Sequence, residues 1–187
     1  PPRSTLFPYT TLFRSKKFKN EFRVASARMQ SWDYGKNAAY HVIICTKNKN
    51  HLFGQVVEYK MQLNDLGVLA EKFWLEIPAH FSFVKLDELA VMPNHVHGII
   101  IIDKPKETIK VETPKLGVST HWKPGVLGVI INQYKRICTI HARKINPEFA
   151  WQPRFYEHII RDRQDFLNAV DYIRDNPKNW QKDEYFE

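Results

Sequence analysis

His95 and His97 stand two residues apart in the run Val91-Met92-Pro93-Asn94-His95-Val96-His97-Gly98, which continues into four isoleucines. Side chains of an extended chain alternate between two faces, so both imidazoles point one way and Val96 the other. Two imidazoles on a rigid strand are half of a divalent-metal site. The same spacing fits two half-exposed histidines bonded to local groups, so the pair needs further ligands to mean more. Pro93-Asn94 read as a turn that opens the strand, placing the histidines at its mouth within reach of a ligand. Ile99–Ile102 then continue it, buried on both faces.

A second set of chemically capable residues lies near the C-terminal end. The segment 162–176 reads as a helix with Asp162 as N-cap and Asp165 in its first turn. At about 100° per residue, Phe166, Leu167, Val170 and Ile173 form its apolar stripe, while Tyr172 falls on the opposite side with Asp165, Asn168 and Asn176. Tyr172 and Asn176, four residues apart, share a face and can reach each other. Asn176 precedes Pro177 and is expected in the final turn. A surface tyrosine followed by an Asn-Pro stop has the same pattern. Tyr156 and His158 share one face of the preceding strand and form a rival pair. Tyr134 lies on the apolar side of its helix and reads as core; His41, His51, His80, His121 and His141 have no spacing that suggests ligation.

The elements that must position these groups follow from periodicity. Tyr40–Thr46 is a β-rich run broken by Lys47-Asn48-Lys49-Asn50, and Gln55–Gln62 is a more polar extended stretch. Leu66, Leu69, Phe73, Trp74 and Ile77 recur at helical spacing until Pro78. Phe83–Met92 reads as a strand with Asp87 and Glu88 at an edge or bulge, paired in a hairpin with the histidine strand. Asp103–Trp122 is an aperiodic loop. From Pro124, Leu127 through Ile145 mark one face of a long helix ended by Asn146-Pro147, and Arg154–Ile160 is a short strand. Without the polar stretch the order is strand, helix, strand, strand, helix, strand, helix. The fold class is therefore α+β, a ferredoxin-like split βαβ with an antiparallel sheet, helices on one face and a C-terminal tyrosine-bearing helix.

The 187 residues suffice for one domain with a tail. An excess of 28 Lys and Arg over 20 Asp and Glu gives a net charge of +8, which favours a polyanionic partner. Aromatic residues interleaved with basic ones can stack unpaired bases. Cys45 and Cys138, both in apolar segments, argue against a disulfide framework and for a reducing compartment. No apolar run is long enough for a membrane span and no signal architecture opens the chain, so a cytoplasmic protein is expected. Residues 1–15 repeat Thr-Leu-Phe and resemble translated adapter sequence rather than native protein. Residues 1–31 are read as an N-terminal tail and 32–187 as the domain.

Several segments together are similar to one family. The His-hydrophobic-His strand, the long middle helix, Trp151-Gln152-Pro153-Arg154-Phe155-Tyr156, and Asp171-Tyr172-Ile173-Arg174 followed by Asn176-Pro177 resemble the single-tyrosine HUH transposases. Within these the chain most resembles the REP-associated tyrosine transposases and the transposases of small insertion sequences. Trp32-Asp33-Tyr34 and the stretch Ile43–Asn48 extend the resemblance, which covers about residues 32–180. It implies a metal-dependent single-strand DNA endonuclease and strand-transferase that forms a 5′-phosphotyrosine. His95, His97 and Asn176 would hold a divalent ion, Mg²⁺ or Mn²⁺, and Tyr172 would be the nucleophile. The implied partner is single-stranded or hairpin DNA, and relatives act as monomers or homodimers. Lys135, Arg136, Arg143, Lys144, Arg154 and Arg161 are candidate DNA-backbone contacts. A non-catalytic single-strand-binding module on the same fold is the alternative.

Overall fold

Strand β1 (Ala38–Cys45) runs down the middle of a four-stranded antiparallel sheet whose order is β4-β5-β1-β6, with β4 (Val84–Val91), β5 (His95–Ile102) and β6 (Tyr156–Ile160). Helices α1 (Asp65–Leu75), α2 (Ile77–His80), α3 (Leu127–Ala142) and α4 (Arg163–Asn179) complete the domain, with a two-stranded hairpin, β2 (Gly54–Val57) and β3 (Lys60–Leu63), beside them. This computed structural model describes residues 32–105, 127–183, 185 and 186. The tail expected over 1–31, most of the loop expected over 103–122, and Pro124 lie outside the described residues. Every element named above lies in the compact unit Asp33–Glu187. The strand order and the alternation with helices are the ferredoxin-like arrangement. Among the described residues no helix is long and apolar enough to cross a membrane.

The period-two alternation divides the core into two layers. Tyr40, Val42, Ile44, Val96 and Ile100 face α1 and α3, where Trp74 meets Tyr134 edge-on at 5.2 Å and Tyr134 donates its hydroxyl to the Ala70 carbonyl. Ile99 and Ile160 face the other way and join Ala169, Val170 and Ile173 of α4 in a separate apolar cluster. The sheet thus lies between α1 and α3 on one side and α4 on the other. Tyr134 is core, as its helix face implied.

Gly98, the residue after His97, fixes the first of these layers. A Cβ at this position would come within 2.3 Å of the Trp74 ring. Trp74 has no solvent exposure and cannot retreat. Gly98→Ala should therefore destabilise the chain by about 2–3 kcal/mol, the range of an overpacked core. Thermal unfolding would show it as a fall of roughly 4–12 °C for a domain of this size. An unchanged midpoint would show that the tryptophan layer yields.

Several local expectations are corrected. Gln55–Gln62 is not one extended stretch but the β2–β3 hairpin, turning at Glu58 and Tyr59 with φ of 48° and 63°. Tight turns of that hand ordinarily carry Asn or Gly, so the sequence held no turn signal. Pro78 does not stop a helix; it sits in the first turn of α2. The Asp87-Glu88 irregularity is present, as a register shift between Leu86 and Leu89. Asp162 caps α4 as expected, its carboxylate accepting from the Asp165 amide. Pro177 does not end that helix, which runs on to Asn179. Asn179 Nδ2 donates to the Asp175 carbonyl and Lys178 bonds the Asp175 carboxylate, closing the last turn.

Candidate active site

Strand β5 enters directly from the Pro93-Asn94 turn, and its first and third residues are the two histidines. They do not sit at an open mouth: both are fully buried. Their Nε2 atoms converge to 2.5 Å, and the rings meet edge-on. The chain after α4, which the sequence pattern left unassigned, covers them. The rings of Trp180 and Tyr185 lie tilted against His95, with centroids at 5.9 and 4.9 Å.

Helix α4 brings its polar groups to the same place. Ala169, Val170, Ile173 and Asn176 are its buried residues, so the buried face is rotated from the predicted stripe toward Asn176. Tyr172 flanks this face instead of opposing it, half-buried with its ring 5.5 Å from His97 and 5.8 Å from His41. Asn176 Nδ2 lies 3.4 Å from His97 Nε2 and donates to Asp183 Oδ2 at 2.7 Å. Asn176 Oδ1 is buried without a hydrogen-bond partner. A buried amide oxygen left unpaired costs about 1–3 kcal/mol, a cost that a cation would relieve. The four predicted residues, His95, His97, Tyr172 and Asn176, are thus neighbours within one chain.

Three further residues belong to this cluster and were not singled out by spacing. Asp183, on the turn after α4, offers a carboxylate oxygen that lies with one ring nitrogen each of His95 and His97 within a 4.8 Å span. Burial holds its carboxyl above the ordinary range, against the bonds from the Tyr185 amide and Asn176, and against Lys49, which lower it. His41, from β1, places Nε2 3.3 Å from His97 Nδ1. Asn94 Oδ1 lies 2.7 Å from His95 Nδ1. Two imidazoles and a carboxylate form a donor set that a divalent ion of the Mn²⁺ or Mg²⁺ kind accepts.

Burial also sets the charge of the histidines. It is the main reason His95 and His41 are held down to about 3 and His97 well below its usual 6.5. For such a group the folded value lies below the unfolded one, so its stabilisation is complete above pH 6.5 and is lost as pH falls toward 3. At pH 5 each of His41 and His95 should cost about 2 kcal/mol. The melting temperature in EDTA should therefore drop by roughly 8–16 °C between pH 7 and pH 5. A flat profile across that interval would show that the rings take up protons in place.

Of the rival pair, His158 is bonded to Asp165: it sits across from His41 on β6, and its Nε2 contacts both carboxylate oxygens at 2.8 and 2.9 Å. Of the candidate DNA contacts, Lys135, Arg136, Arg143 and Lys144 belong to α3 or its end, across the sheet from Tyr172. Lys135 donates to the carbonyls of Gln152 and Arg154, and Arg143 to that of Phe149, which ties both to the chain before β6. Arg154 and Arg161 are exposed at the two ends of β6.

No protein-family model matches the chain. An uncharacterized protein of Haemophilus influenzae is 38% identical over 170 residues, which are 86% of this chain and 92% of that protein. The REP-associated tyrosine transposase of Escherichia coli K12 is 28% identical over 93 residues, 50% of this chain and 44% of that protein. A solved REP-associated tyrosine transposase bound to a REP hairpin shares the fold, with a TM-score of 0.55 at 19% identity over 83% of this chain and 74% of that one. Sequence relatives, sheet order and the motifs that carried the resemblance agree: the named homologues and the structural neighbour of this chain are REP-associated tyrosine transposases, and the chain shares their fold.

Proposed function

We propose that the chain is a divalent-ion-dependent endonuclease and strand-transferase for single-stranded or hairpin DNA. The observation that carries this reading is the meeting of Tyr172 and Asn176, on one face of α4, with the converging Nε2 atoms of His95 and His97. His95, His97 and Asp183 would hold the ion, and Asn176, whose Nδ2 faces His97 and Asp183, would join them through Oδ1 only with its amide reversed. When bound, it would supply Lewis acidity at the scissile phosphate and orient it. Tyr172 is the nucleophile: its phenol gives up its proton as the oxygen bonds to phosphorus, the bond from phosphorus to the 3′ oxygen breaks, and that oxygen leaves as a hydroxyl by taking up one proton, so no net proton is gained or lost. The resulting 5′-phosphotyrosine conserves the bond energy for joining a second strand.

The neutral histidine cluster suits that role, since unprotonated rings accept either a metal or a proton. Arg154 and Arg161 would contact the DNA backbone beside the site. Lys135, Arg136, Arg143 and Lys144 would reach only DNA that passes round the β6 edge. Incubation of the chain with Mn²⁺ and a hairpin DNA labelled on the 3′ side of the scissile phosphate tests the reading. A covalent protein–DNA band is expected. Its absence with every divalent ion would reduce the chain to a single-strand-binding module.

A further inference from the structure

Each histidine of the pair is met at its outer nitrogen by a side chain that the chemistry above leaves unused. Asn94 Nδ2 donates to the carbonyls of Lys49 and Tyr185, at 3.1 and 2.5 Å. The NH₂ group is thereby spoken for, and Oδ1 is the atom that turns to His95 Nδ1, 2.7 Å away. An amide oxygen accepts and cannot donate, so the His95 hydrogen resides on Nδ1 and the Nε2 lone pair points inward. The turn that carries Asn94 is itself pinned: its carbonyl accepts from the amide of Thr46 at the end of β1.

His97 is held from the other side. His41 pairs with Ile99 in the sheet register, two residues along β5 from His97, so the two rings share a face and stack 5.5 Å apart. His41 Nε2 lies 3.3 Å from His97 Nδ1. We infer that Asn94 and His41 are positioning residues for the ion: they determine which nitrogen of His95 and His97 bears hydrogen, so that both Nε2 lone pairs face one point. The inference rests on the metal reading above.

In the ion-holding arrangement His97 Nδ1 donates to His41 Nε2, and His41 keeps its own hydrogen on Nδ1. Without an ion, two facing lone pairs at the spacing of His95 and His97 would repel. The His97 hydrogen then lies on Nε2 and bridges to His95, while His41 donates from Nε2 to His97 Nδ1. Both arrangements contain the same number of hydrogens, so His41 and His97 exchange tautomers as a unit. A phenylalanine at position 41 would preserve the ring but could neither donate nor accept.

Mn²⁺ titration of the full chain, followed by electron paramagnetic resonance, tests this alongside the ring ¹⁵N shifts of the ion-free protein. His41→Phe should bind Mn²⁺ roughly 10- to 100-fold more weakly, the usual cost of removing a partner behind a metal ligand. His41→Gln, whose amide oxygen accepts from His97 Nδ1, should recover most of that loss. In the wild-type spectrum His95 should carry hydrogen on Nδ1. Wild-type affinity in His41→Phe, no recovery in His41→Gln, or a His95 hydrogen on Nε2 would each overturn the inference. A wild-type chain that binds no Mn²⁺ would instead overturn the metal reading, and the ¹⁵N spectrum would still decide the tautomers.

Discussion

Tyr172→Phe should form no covalent adduct with hairpin DNA under conditions where the wild-type chain does. The substitution keeps the ring that packs edge-on against His41 and His97, and removes only the hydroxyl. Half-buried at the flank of α4, the position should change folding stability by less than about 1 kcal/mol. The chemical effect is of another order, because the hydroxyl removed is the one proposed to take the phosphoryl bond. Loss of a nucleophile costs on the order of 10⁴- to 10⁶-fold in turnover in enzymes that form covalent intermediates. DNA binding should persist, since the substitution leaves the basic side chains proposed to meet the backbone unchanged. An adduct that survives Tyr172→Phe and disappears in Tyr156→Phe would move the reaction to β6. There Tyr156 shares a face with His158, whose ring is bonded to Asp165.

The parts of the site that local periodicity controls were legible in the sequence. His95 and His97 share a face because strands repeat every two residues. Tyr172 and Asn176 share one because helices bring residues four apart together. What joins the two pairs is not local. His41 reaches His97 through strand pairing, in which β1 lies beside β5 with His41 opposite Ile99. Nothing in a single sequence states that register. Asp183 arrives from a turn beyond Pro177, where an Asn-Pro stop was expected and the helix instead ran on for another turn. Its charged, aperiodic surroundings look like a solvated end, and the Asn176 amide alone marks its destination. The face of α4 was misread for a related reason. Asn176 is polar and counts against burial in a hydrophobicity wheel, yet it is buried because its partners are.

His95→Ala combined with His97→Ala should abolish Mn²⁺ binding and adduct formation together. Each ring contributes an inward nitrogen from a position without solvent exposure, so no water-exposed substitute can fill in without opening the layer. The fall in affinity should exceed the roughly 100-fold that marks the loss of an outer partner, because the donor atoms themselves are gone. Asp183→Asn separates the remaining ligands. It keeps an oxygen near the histidines but removes the negative charge, so affinity should fall while the Asn176 amide retains an acceptor. Asn176→Ala removes that amide and leaves the Asp183 carboxylate without the bond from Nδ2. If the ion is held by all four, both single variants should weaken Mn²⁺ binding, and neither should match the double histidine variant. The double variant should also lose much of its sensitivity to pH, since His95 and His97 no longer have to be kept uncharged in the core. Mn²⁺ affinity that survives in the double variant would place the ion away from β5. The two histidines would then be a buried structural pair whose cost to stability is repaid by Asn94 and His41.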